Sequence, residues 1–340
     1  MTKRKVYIFI FLLTIAQSVC GQQDPQYSQY MYTILPINPG YAGNAGICAS
    51  LHYRQQWSGW MDTDESTGEK YKTSPRTTLL TVNSPVRALH GGLGLSVYND
   101  AYGHQNDIAV KLAYSFRMNI GGGSLGIGLA GDFLSRQIDK TKYFPGQSGD
   151  MVLVNGLGES AMYVDVSFGA YFQMQENWYA GISAAKILSA FMNTGGDKVG
   201  QSAATHFYAL GGYSYTLPAD PNWRLLPSAI IKTDFKTPPQ LDLTMIAEYN
   251  NLIWFGASYR IIDAVAILVG AKPFANFSSA IRGLEIVASY DVNTSKVMRH
   301  KRSFGGYEFC LKYCFNIVKP VNVYGYKGTR LLGNKPIDYR

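Results

Sequence analysis

From Tyr307 to Asn316 the odd positions read Tyr, Phe, Leu, Tyr, Phe and the even positions Glu, Cys, Lys, Cys, Asn. Strict alternation puts the apolar residues on one face of an extended chain and the polar ones on the other, which predicts a strand. The same rule fits 108–117, 162–172, 241–249 and 253–259. Applied along the chain it predicts fourteen strands, beginning near Ile47, Arg76, Gly92, Asp107, Ser124, Ala161, Trp178, Ala204, Trp223, Leu241, Leu252, Ala264, Ala280 and Gly306. Most can supply the ~9–11 residues that a tilted strand needs to cross a bilayer. The count is even, as in bacterial outer-membrane barrels.

The connections carry a second pattern. Ser58–Thr73, Gln137–Ser160 and Ser189–Ala203 are long, whereas Ser84–His90, Asn119–Gly123 and Gln175–Asn177 are short. Membrane barrels keep short periplasmic turns and longer outer loops. Outward positions carry Ile, Val, Leu, Phe, Tyr and Trp. Inward positions carry Gly, Ala and Ser with scattered charges: Arg54, Lys111, Arg117, Asp165, Asp242, Glu248, Arg260, Glu308 and Lys312. A lumen accommodates such charges by pairing or hydration, while the core of a soluble sandwich would not do so cheaply. Trp57, Trp60, Tyr213, Tyr215, Trp223 and Tyr259 fall near strand ends, where interfacial aromatic girdles belong. The expected fold is an all-β, antiparallel outer-membrane barrel over residues 46–316.

Composition narrows the alternatives. Charged residues are 16% of the 340, aromatics 14%, and there are 35 Gly and 25 Tyr. That combination excludes a disordered chain and a coiled coil. Lys3, Arg4 and Lys5 precede an apolar run, Val6 to Ala16, with small residues around Gly21. This is the pattern of a cleaved signal peptide, residues 1–21, with lipidation at Cys20 as the weaker alternative because Gln17 and Val19 do not suit such a site, and the run is too short to span a membrane. Removing 21 of 340 residues leaves 319 and takes the net charge from +8 to +5. An exported chain with that modest excess is not expected to bind nucleic acid. The mature chain keeps Cys48, Cys310 and Cys314, an odd number that makes no disulfide framework and no zinc site. Cys48 shares the polar parity with the other two. If the first and last strands meet, it can pair with Cys310 or Cys314, or all three can be free thiols in the lumen.

Residues 22–45 have no period. Pro25, Pro36 and Pro39 oppose a regular strand or helix. Yet Tyr27, Tyr30, Tyr32, Asn38, Pro39 and Tyr41 are too apolar a set for a free linker, so the segment is expected to plug the lumen or to pack on a partner. The wording of this segment also carries a resemblance. Asp24-Pro25-Gln26-Tyr27-Ser28-Gln29-Tyr30-Met31 and Ile37-Asn38-Pro39-Gly40-Tyr41-Ala42-Gly43 resemble the opening signature of the PorP/SprF family, outer-membrane proteins of type IX secretion and gliding in Bacteroidota. Tyr53-Arg54-Gln55-Gln56-Trp57-Ser58-Gly59, Pro227-Ser228 with Lys232, Trp254 to Arg260 and Ser289-Tyr290-Asp291 are similar to later family motifs. Two features depart from it. Gly305-Gly306-Tyr307-Glu308 stands where members often have Gly-Ser-His-Glu, and a basic tail, 317–340, follows Phe315. The resemblance implies a non-catalytic role in protein export or surface adhesion. The implied partners are type IX secretion components or a secreted surface adhesin.

Enzyme chemistry is not expected, and neither is a cofactor or metal. His52, His90, His104, His206 and His300 form no recognisable nucleophile motif. Gly121-Gly122-Gly123 and Gly91-Gly92-Leu93-Gly94 lead into strands, not helices, so neither is a phosphate loop. The run Lys296–Arg302 is expected as a basic outer loop that can meet lipopolysaccharide or an acidic partner; outer-membrane lipid is the other expected contact. The competing function is a passive pore or small-solute transporter. A third, an outer-membrane hydrolase, requires a Ser/His/acid cluster that the sequence does not offer.

Overall fold

The computed structural model describes residues 25–63, 68, 70–139, 159–175, 177–188, 205–261, 263–276, 280–294 and 303–315. The expected leader, the basic run within 295–302 and the tail from 316 lie outside them. The long strands are β1 (Ile47–Gln55), β2 (Arg76–Val86), β3 (Gly91–Tyr102), β4 (Gln105–Ile120), β5 (Gly123–Ile138), β6 (Glu159–Met174) and β7 (Trp178–Ala185). They continue as β8 (His206–Tyr213), β9 (Trp223–Thr233), β10 (Gln240–Tyr249), β11 (Ile253–Arg260), β12 (Ala264–Ala271), β13 (Leu284–Asn293) and β14 (Gly306–Phe315). Every pairing is antiparallel, and β1 pairs with β14, from Ile47 opposite Phe315 to Gln55 opposite Tyr307. β8 pairs with β9 as well as with β7, so the sheet closes into a fourteen-stranded barrel.

The faces are inverted relative to a soluble protein. Leu51, Leu80, Ile108, Leu112, Leu129, Phe133, Val164, Ile182, Ile267 and Phe309 are exposed on the outside. Ser50, His52, Arg54, Asp107, Arg117, Asp165, Asp242, Arg260 and Glu308 are buried inside. An apolar exterior over a polar lumen is the arrangement a bilayer stabilises, because lipid replaces water outside while the closed ladder satisfies the backbone. Among the described residues no helix is long and apolar enough to cross a membrane.

The two ends differ. One end, the loop end, carries the connections 56–75, 139–158 and 186–205. The other, the turn end, carries 87–90, 121–122, 175–177 and 250–252. Gly121 and Gly122 both have positive φ, 60° and 84°, which lets a two-residue turn follow the right-handed twist of β4 and β5. The alternation holds through the first half except at one place, where Tyr102 pairs with Gln105 and β3 and β4 join at the loop end through a tight turn. It fades in the second half, where 261–263 is short at the loop end and 214–222 and 272–283 are long at the turn end. Strand starts agree with the sequence pattern to within a few residues. The largest displacement is at Ala280, where a 3-10 turn (Ala280–Gly283) precedes β13.

Candidate functional site

The lumen is filled by the chain's own N-terminal segment. Residues 25–46 run inside the barrel before β1 begins, and Ser28, Gln29, Tyr30, Thr33, Ile34, Leu35, Asn38 and Ala42 are buried there. The prolines do not exclude helix as expected. Residues Ile34–Ile37 form one α-helical turn containing Pro36, flanked by 3-10 turns at Tyr30–Tyr32 and Pro39–Tyr41. Proline is tolerated in a first turn, where the amide has no intrahelical acceptor to lose.

Two walls hold this plug. The first is built from β3, β5, β6 and β7, and it has glycines where side chains would otherwise fill the lumen. A Cβ at Gly126 would lie 2.2 Å from Gly40 O, and one at Gly128 would lie 2.3 Å from the Pro39 carbonyl. A Cβ at Gly92 would lie 2.2 Å from Gly43 Cα, and one at Gly94 would lie 2.5 Å from Leu35. Only glycine lets the plug backbone approach this closely. Asn38 organises the contact. Its Oδ1 accepts from Gly40 N–H (2.9 Å), capping the 3-10 turn, and its Nδ2 donates to Ala170 O (2.9 Å) and Ile182 O (3.2 Å). Gly169 and Gly181 leave room for that amide. Around it Lys111 Nζ donates to Pro36 O (2.8 Å), Ser183 Oγ to Ile37 O (2.8 Å) and Ser115 Oγ to Gly40 O (3.1 Å). Arg117 reaches Gly40 O (3.3 Å) and Ala42 O (3.4 Å). Tyr41 meets Tyr171 edge-on, with ring centroids 5.1 Å apart.

The second wall is the seam and its neighbours, β9 to β14 and β1, and it holds the plug by charge. The carboxylate of Glu308 accepts the backbone N–H groups of Ser28 (2.9 Å) and Gln29 (3.3 Å). Ser28 Oγ donates to Asp291 (2.9 Å) and accepts from Arg260 (3.2 Å). Arg54 bridges Asp291 at 2.8 Å and stands 4.0 Å from Glu308. Arg260 approaches Asp242 at 3.6 Å, and Lys232 pairs with Asp242 at 2.7 Å. Gln29 Nε2 donates to Ser289 Oγ (3.1 Å) and to Glu308 O (3.0 Å). Tyr30 OH shares a hydrogen bond with Ser228 Oγ (2.7 Å). Of these groups only Arg54 stands across the seam, on β1, so its ties to Asp291 and Glu308 form only when the seam is shut.

The structure places all nine expected lumen charges on the inner face, in separate groups. Arg54, Arg260 and Glu308 join the seam network. Lys111 pairs with Asp132 (3.2 Å) under the plug, and Asp165 accepts from Leu188 N–H (2.8 Å) near the loop end. Lys312 shares Glu285 with Lys272 at the turn end, each at 3.3 Å, and stands 5.7 Å over the Tyr32 ring. Cys48 lies opposite Cys314 in the seam register and is bonded to it, with the Cα atoms 4.1 Å apart. Cys310 is a buried free thiol 3.5 Å from His52. Ser28, Gln29, Ser289, Asp291 and the wall glycines were not singled out as site residues by the sequence pattern. Their signal was present all the same: glycines at alternate inward positions, 92 and 94, then 126 and 128, mark a close backbone approach.

The plug divides the lumen. A cavity of about 650 Å³ lies toward the loop end, floored by Pro25, Gln26, Tyr27 and Ile37. One of about 440 Å³ lies toward the turn end, bounded by Met31, Tyr32, Arg224 and Trp254. At the loop-end rim, burial alone would raise the Asp234 carboxyl. Bonds from the Thr237 and Lys236 amides and the Thr237 hydroxyl outweigh that and hold it below the usual carboxylate range. Among the described residues no group of His, Cys, Asp and Glu is arranged to hold a metal ion.

The family model described as "Type IX secretion system membrane protein PorP/SprF" matches residues 19–313. The chain belongs to this family. That places a PorP/SprF protein, and with it a type IX secretion component, behind the outer-membrane barrel described above. Solved structures similar to the chain include an outer-membrane protein, a FadL homologue and a porin. Omp33 of Acinetobacter baumannii is 9% identical, with 80% of this chain and 99% of that one covered and a TM-score of 0.42. A FadL homologue of Pseudomonas aeruginosa is 12% identical, with 79% and 90% covered and a TM-score of 0.40. The NanC porin is 10% identical, with 80% and 100% covered and a TM-score of 0.34. No curated protein matches the chain.

Proposed function

We propose that this PorP/SprF protein is an anchor and docking platform for type IX secretion or gliding, binding either a secreted adhesin or the periplasmic ring assembly, and that it is not a conduit. The observation that carries the reading is the occupied lumen. Residues 25–45 are tied to β2, β4, β6, β7, β9, β11, β13 and β14, and the side chains of Ser28, Gln29, Tyr30 and Asn38 hydrogen-bond the wall. Opening a path would unpair many of them at once, each at a cost of roughly 1–3 kcal/mol in a desolvated site. A passive pore needs a continuous aqueous lumen. Partner recognition then falls to the surfaces at the two ends, and the lipid-facing band supplies the anchorage.

The test is crosslinked recovery from outer membranes with a tagged chain, combined with conductance of the purified barrel in planar bilayers. The expected result is recovery of secretion-ring components or one large surface adhesin, and a silent bilayer. Recovery of neither, with stable single-channel conductance, overturns the reading in favour of a pore.

A further inference from the structure

An even-stranded barrel normally leaves both chain ends at the same rim. Here β1 starts and β14 ends at the turn end, and Cys48 and Cys314 lie side by side there. The segment before β1 does not stay at that end. Followed backwards from Ile47, it passes Gly92 and Asn83 through Gly43, Gly126 through Gly40, and Ser228 through Tyr30. It then reaches Asp291 and Glu308 through Ser28, near the loop-end termini of β13 and β14. Gln26 exchanges two amide hydrogen bonds with Gln240 (2.7 and 3.1 Å), the first residue of β10 at the loop end. Pro25 lines the loop-end cavity beside Thr237 and Pro238.

We infer that the chain enters the lumen through the loop-end mouth, so that Pro25 and the seam ends Ile47 and Phe315 lie at opposite rims of the barrel. If the leader is cleaved after Gly21, three residues precede Pro25, and three extended residues reach only about 11 Å. The ten residues of β10 alone run roughly 34 Å. A start of that length is too short to return to the turn end past the plug. The inference does not depend on the docking reading, since it follows from the path of the plug alone.

The test is labelling of single cysteines on intact cells with a small, charged, membrane-impermeant methanethiosulfonate. Wild type is the blank, because its described cysteines are one disulfide and one buried thiol. The probe is Gln23→Cys. Lys236→Cys reports the loop end, on the exposed connection after β9, and Ala219→Cys reports the turn end, on the exposed connection before it. The expected result is that Gln23→Cys reacts to the same extent as Lys236→Cys on intact cells, while Ala219→Cys reacts only after permeabilisation. If Gln23→Cys follows Ala219→Cys instead, or stays unreactive from both sides, the inference fails. A barrel inserted the other way round would exchange the two reporters and leave Gln23→Cys with Lys236→Cys, which separates orientation from plug path.

Discussion

The two walls of the lumen hold the same peptide by opposite means. The wall of β3, β5, β6 and β7 offers shape: Gly92, Gly94, Gly126, Gly128, Gly169 and Gly181 clear a track on which the backbone of 35–43 lies. The wall of the seam offers charge: Arg54, Arg260, Asp291 and Glu308 grip Ser28 and Gln29. The first wall tolerates no added atom. The second tolerates no missing one, because its ions are desolvated and each compensates another. Plugging thus depends on sterics along one side and on stoichiometry of charge along the other, and the two sides should respond to different substitutions.

The largest effect is expected at Glu308. Glu308→Ala removes the acceptor of two plug amides and a near partner of Arg54, all within a fully buried network. Breaking a buried ionic arrangement from one side costs about 3–5 kcal/mol. Thermal unfolding of the barrel in detergent should show it, and Glu308→Gln, which keeps one acceptor oxygen, should lose less. Equal losses for the two variants would mean that the hydrogen bonds, and not the charge, are immaterial to the grip.

The glycine wall should answer next. Gly128→Ala puts a methyl 2.3 Å from Pro39 and must displace the plug or the strand, an overpacking penalty of about 1–3 kcal/mol. Gly131→Ala is the matched control. It lies on the same strand with the opposite parity, and its Cβ would meet only Phe133, at 3.9 Å. Its unfolding temperature should match wild type. If both variants unfold alike, the close approach of plug and wall is not what the glycines are for.

This contrast also marks what was legible in the sequence. Alternation is a strong signal, so the barrel, the strand count and the inward charges such as Arg54, Arg260 and Glu308 could be read from parity alone. Partnership could not. Parity says that Glu308 points inward, but only the closed register sets it beside Arg54, and only the path of the plug supplies the amides of Ser28 and Gln29. The cysteines show the same limit. Cys48, Cys310 and Cys314 share one face, and a shift of register by a few residues decides which of them can meet. Glycine was the harder case. A small inward residue in a lumen reads as open space, whereas Gly92, Gly126 and Gly128 are where the packing is tightest.

The smallest effect is expected between the walls. Tyr30 is 1% exposed, and its ring packs against Ile34, Tyr171, Tyr208 and Ile230 while its hydroxyl bonds Ser228 on β9. Tyr30→Phe keeps the ring and removes one hydrogen bond, leaving Ser228 Oγ without that partner. A loss of about 1 kcal/mol follows from such a deletion. The double variant Tyr30→Phe with Ser228→Ala should then cost little more than Tyr30→Phe alone, because both partners of one bond are gone and none is left stranded. Additive losses in the same unfolding assay would show that Tyr30 and Ser228 act separately, and that the plug crosses from the charged wall to the glycine wall without a polar tie at its centre.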